Sequence, residues 1–110
     1  MSFAKNIENT LNHYGSEVKL WDGDDVYITR AFVEPLRYKT RLYIGGEYQN
    51  IKTFNKNCYL YVGKASFELV ENHTIVEVDR VEYKVVRSEL YELSGQPVYW
   101  WAVLAPVKRG

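Results

Sequence analysis

The sequence predicts a mainly β domain, a small antiparallel β-barrel or sandwich of about six strands with an N-terminal α-helix and a long central loop. Three observations predict it. Residues 74–78 and 81–87 alternate apolar and polar side chains with the period of two that sends neighbours to opposite faces of a sheet. Only Asp79-Arg80 separates these runs, and Ser94-Gly95-Gln96-Pro97 separates the second from residues 98–104, so the order is strand, tight turn, strand, wider turn, strand. At 110 residues, finally, the chain can build one core and not two. Residues 1–110 therefore read as a single domain, with the helix over 1–15, the barrel over 16–110 and a projecting loop over roughly 35–57.

Each element has a local cause. Ser2 is placed as an N-cap, and Phe3, Ile7, Leu11 and Tyr14 follow at spacings that form one helical stripe ending at Gly15. So short a helix draws its stability from laying that stripe on the sheet or on a neighbouring subunit, and one end of the barrel is its expected seat. Residues 17–21 alternate, with Val18 and Leu20 on one side, and Asp22-Gly23-Asp24-Asp25 turns the chain into residues 26–33. Pro35 cannot donate to a ladder and ends that strand. From there the pattern deteriorates into a basic and aromatic stretch whose ordered form would be two short strands around Gly45-Gly46. Cys58, Leu60 and Val62 then share one face of a strand, Tyr59 and Tyr61 the other, and Gly63 closes it. Phe67 and Leu69 lie in the connection to Thr74.

Composition narrows function by exclusion. Fourteen basic and fourteen acidic residues cancel and form no blocks, whereas a protein that coats DNA carries a basic surplus to displace counterions from phosphates. Ten Tyr and three Trp against four Phe favour side chains with an apolar body and a polar tip, which suits both half-buried strand positions and interfaces. The lone Cys58 has no partner for a disulfide or a zinc site and points to a reducing compartment. No stretch is long and apolar enough to cross a bilayer, and no membrane partner is expected.

Catalysis is not expected either. General acid-base chemistry needs a positioned titratable group, and a nucleophile needs a base within reach. His13 at a helix end and His73 in a turn read as surface residues, and Cys58 on an apolar strand face reads as an inert thiol. Gly45-Gly46 lacks the Lys-Ser/Thr of a phosphate loop, and the acidic turn at Asp22 lacks the spaced ligands of a calcium loop. No metal and no cofactor is expected.

The block of residues 58–63, followed by 74–79 and 81–89 and closed by Pro97-Val98-Tyr99-Trp100-Trp101-Ala102-Val103-Leu104, resembles small head-tail connector proteins of tailed bacteriophages and prophage elements. It looks most like the head-completion or stopper group from phages of Gram-positive bacteria. The resemblance covers the C-terminal half well and the N-terminal helix and hairpin loosely. One departure is Arg80, where many relatives would carry Gly, the residue suited to the second place of an Asp-Gly turn.

The resemblance implies a structural virion protein of the neck, assembled in the host cytoplasm. It would be a homo-oligomeric ring seated on the portal or an adaptor, joined to tail proteins and in contact with packaged DNA. Arg37, Lys39, Arg41 and Lys52 are then the candidates for facing the channel and its DNA. Tyr38, Tyr43, Tyr48 and Trp100 are the candidates for subunit contact, because they supply rigid amphipathic area. Two alternatives remain open. One is a β-barrel module binding carbohydrate or peptide on Tyr99, Trp100 and Trp101, of which adjacent Trp100 and Trp101 must point to opposite faces. The other is a barrel binding single-stranded nucleic acid through aromatics and a basic groove.

Overall fold

A computed structural model describes residues 3–36, 41–44, 47–50 and 58–107. Helix α1 (Phe3–Tyr14) leads into β1 (Ser16–Asp22) and β2 (Asp25–Pro35), then β3 (Arg41–Ile44) and β4 (Glu47–Asn50). β5 (Tyr59–Lys64), β6 (Ile75–Val78), β7 (Val81–Leu93) and β8 (Gln96–Pro106) complete the chain. Six strands close an antiparallel barrel in the order β1-β2-β5-β8-β7-β6, with β6 pairing back onto β1, while β3 and β4 form a separate two-stranded sheet. The mainly β class, the six-strand barrel and the N-terminal helix are those the sequence predicts. The two short strands expected on either side of Gly45-Gly46, which themselves lie outside the described residues, are present too and pair antiparallel with Tyr43 in register with Tyr48.

Strand parity decides which side chains enter the barrel. Val18 and Leu20 of β1, Ala31 of β2, Tyr61 of β5, Val76 of β6, Tyr83 and Val85 of β7, and Ala102 and Leu104 of β8 form one buried cluster. The intervening residues of β5 and β8 point outward, yet Trp101 and Val103 are buried there with Cys58 in a second cluster. Helix α1 packs across β8, β2 and β5 on that outer side, with Leu11 1% exposed. The expected seat of the helix over a barrel end is therefore corrected. Tyr14, expected on the buried stripe, is 71% exposed, because the helix stops there and the chain turns off into β1.

An end of the barrel is closed instead by the connection from β5 to β6. Leu69 is fully buried in the barrel cluster and Phe67 packs against it. Ser88 Oγ donates to the Leu69 carbonyl at 2.6 Å and Asn72 N–H to the Val85 carbonyl at 2.8 Å, so the connection is stitched to β7. β7 carries a bulge at Val86, where two residues oppose Val103 of β8, and this places Val86 in the outer cluster.

Two boundaries differ from those expected. Gly63 does not close its strand, since β5 continues to Lys64. The glycine is there for space: a Cβ on Gly63 would stand 2.2 Å from the Tyr61 hydroxyl oxygen and 2.5 Å from its ring. Tyr61 thus folds its ring over its own strand, fully buried, with a hydroxyl that finds no partner among the described residues. Burial pushes that phenol well above its usual pKa. The turn after β7 is also tighter than expected, because Ser94 (φ 52°) and Gly95 (φ 75°) alone connect Leu93 to Gln96. Between β6 and β7, Asp79 (φ 51°) and Arg80 (φ 67°) are both left-handed, so the type I′ turn forms despite its arginine.

Two predictions follow from these strained positions. Gly63→Ala should destabilise by about 2 kcal/mol through overpacking against the Tyr61 ring, whereas Tyr61→Phe should be neutral or stabilising by about 1 kcal/mol, because it deletes a buried hydroxyl with no partner; urea unfolding of both and of the double variant measures the coupling. Arg80→Gly should raise stability by about 1 kcal/mol by removing the left-handed penalty of a side-chain-bearing residue, read as a higher urea midpoint at unchanged slope.

Candidate interaction surfaces

Of the eight side chains singled out from sequence, Arg37, Tyr38, Lys39 and Lys52 lie outside the described residues. Arg41 is the first residue of β3, and Tyr43 is the register partner of Tyr48 in the β3–β4 ladder, which brings these three positions onto one two-stranded sheet. Trp100 lies elsewhere, on β8, half-buried against the barrel core. Its indole Nε1–H donates to the Ala65 carbonyl at 3.1 Å, so the ring braces the start of the segment that closes the barrel end. Trp101 is 7% exposed in the outer cluster. The pair points to opposite faces, as expected, but both faces are packed.

Tyr99 is half-buried and stacks on Tyr91, with centroids 4.9 Å apart and planes at 19°. Burial, then the neighbouring Tyr91, raises its pKa. The two rings lie at the base of the arm in which β7 and β8 run on past β5 and β6. β6 pairs with β7 only through Lys84, and β5 reaches β8 only as far as Tyr99. Inside the barrel, the Tyr59 and Tyr83 rings meet at 4.9 Å, and burial followed by Tyr59 raises the Tyr83 pKa.

Sequence reasoning missed the most exposed apolar stretch. Val26, Tyr27 and Ile28 are 43%, 46% and 60% exposed on β2. Three apolar residues in succession break the half-buried alternation, and that break was the available signal. β5 pairs only with residues 31–35 of β2, so among the described residues the outer ladder edge of residues 25–30 has no partner strand. Tyr27, the register partner of the core residue Leu20, also lines an open cavity of about 290 Å³ together with Leu20, Asp22, Phe67, Glu68 and Thr74. The Tyr27 and Phe67 rings are 6.3 Å apart, and His73 Nε2 lies 2.5 Å from Asp22 Oδ1 at its rim.

Among the described residues no group of three His, Cys, Asp or Glu is placed to hold a metal ion, and Cys58 is buried in the outer cluster. The arrangement offers contact area, strand edges and an acidic, aromatic cavity. Comparison with family models, with curated proteins and with solved structures finds no match.

Trp100→Phe should cost about 1–2 kcal/mol, since it strands the Ala65 carbonyl and shrinks a packed ring. Faster amide hydrogen exchange confined to residues 65–74 would locate the loss in the barrel-closing segment.

Proposed function

We propose that this chain is a structural subunit of a tailed-phage or prophage neck. It acts as a ring-forming head-tail connector of the head-completion or stopper kind, which joins portal to tail and helps to retain packaged DNA. The observation that carries the reading is the insertion of a separate hairpin, β3–β4, between two strands that pair side by side in a closed barrel. A closed barrel has few edges through which to associate at random. The β3–β4 sheet, which lies within the basic, tyrosine-rich stretch of the sequence, is separate from the barrel.

In this reading Arg37, Lys39, Arg41 and Lys52 meet phosphates in the channel, where cations act without reading sequence. Tyr38, Tyr43 and Tyr48 contact the neighbouring subunit. Trp100 holds the subunit together from within instead of lining an interface, given its indole bond to Ala65. The work is cohesion and docking, not bond-making, and calls for no cofactor. The ligand-binding module draws less support, because Trp100 and Trp101 are packed into separate clusters and do not share an open platform with Tyr99.

Mixing the purified chain with the portal protein of its own genome should add a ring of density beneath the portal in negative-stain images. Reversing all four candidate cations to Glu should leave that ring in place while completed heads lose DNA and sediment as empty particles. Failure to associate with portal, together with normal head completion when the chain is deleted, would overturn the assignment.

A further inference from the structure

We infer that Tyr91 and Tyr99 form a site of oxidative modification, at which a one-electron oxidant of the peroxidase class, fed by hydrogen peroxide, joins the two rings through a carbon–carbon bond and bolts β7 to β8 at the base of their arm. The two residues are register partners on adjacent antiparallel strands. Tyr99 packs against the outer cluster of Trp101, Val103 and Cys58, and that backing holds one ring in place. Its partner, Tyr91, is 37% exposed, so an oxidant reaches the pair from solvent.

Coupling needs aligned faces as much as short distance. The new bond grows between π lobes that stand perpendicular to each ring, so the rings must overlap face to face. Tyr91 and Tyr99 do so, with centroids 4.9 Å apart and planes at 19°, an offset stack. Burial and then the neighbouring Tyr91 raise the Tyr99 pKa, and the second cause requires the hydroxyl ends of the two rings to lie close together. The ortho carbons sit beside those hydroxyls. The Tyr59 and Tyr83 rings are equally near at 4.9 Å, but they are tilted by 59° and Tyr83 is 8% exposed. Proximity alone would favour both pairs; alignment and access select one. A disulfide cannot supply such a staple within this chain, whose single cysteine is buried.

The chemistry balances. Each phenol gives up one electron and its hydroxyl proton, and the resulting phenoxyl radicals carry spin on the carbons ortho to oxygen. Two such carbons join, and the hydrogen on each then leaves as a proton that returns to the ring's own oxygen, which restores both phenols. One hydrogen peroxide takes up the two electrons and two protons and leaves as two waters. The product is the same chain less two hydrogen atoms.

The test treats the dilute full-length chain with a peroxidase and hydrogen peroxide and isolates the monomer. Dityrosine fluorescence and a mass lowered by two hydrogens are expected. Cleavage after glutamates places Tyr91 in fragment 90–92 and Tyr99 in fragment 93–110, and the two fragments should emerge joined. Tyr91→Phe and Tyr99→Phe, which keep both rings and remove one phenol each, should abolish the joined product, while Tyr59→Phe should leave its yield unchanged. Absence of dityrosine from the oxidised monomer, or dityrosine that maps to other tyrosines or forms only between chains, would overturn the inference. So would a joined product that survives Tyr91→Phe.

Discussion

Residues 101–104 of strand β8 are dry on both faces, and the rest of the molecule is arranged around that fact. Ala102 and Leu104 fill the barrel while Trp101 and Val103, one residue away in either direction, are buried outside it. A strand apolar on both faces must be covered twice. The curl of the sheet covers one face, and α1, lying across β2, β5 and β8, covers the other. Each fully buried side chain of this size contributes about 1.5–3 kcal/mol. A helix of 12 residues with little stability of its own thereby becomes a fixed part of the scaffold.

The barrel interior is narrow enough that a single glycine governs how it fills. Tyr61 fits only because Gly63, the next residue on the same face, has no side chain, and the ring occupies the space thus freed. Closure at the barrel end follows a related logic: Leu69 enters the core while the backbone around it is bonded to Ser88 and Val85. The connection between β5 and β6 is thus as much core as linker, which explains why Trp100 spends its indole hydrogen on Ala65 and is not free for a ligand.

Exposure is concentrated where ladders stop. Residues 25–30 of β2 and the arm of β7 and β8 both extend past their neighbours on the barrel, and both present aromatic or aliphatic side chains there, Tyr27 and Ile28 on one and Tyr91 and Leu93 on the other. Closing a barrel removes edges only along the paired length. Strands longer than that length carry open edges outward.

The class, the helix, the strand-turn-strand order and the sharing of side-chain faces were readable from the amino acids alone, because period-two alternation and turn chemistry are local properties written in neighbouring residues. Residues 74–78 and 81–87 and the turn at Asp79-Arg80 were legible for this reason, as was the sharing of one β5 face by Tyr59 and Tyr61. Which face is inside became clear only once the strands were closed into the barrel. Alternation says that Tyr61 and Val62 oppose each other, but the closure of β6 onto β1 is what sends Tyr61 to the lumen and leaves Val62 for the helix side. The fold also decided that Gly63 is a space and not a stop, that Trp100 is a brace, and that residues 25–30, paired with β1 on one side, have no second partner strand among the described residues. These depend on where strands distant in sequence end relative to one another, and no window of adjacent residues carries that length.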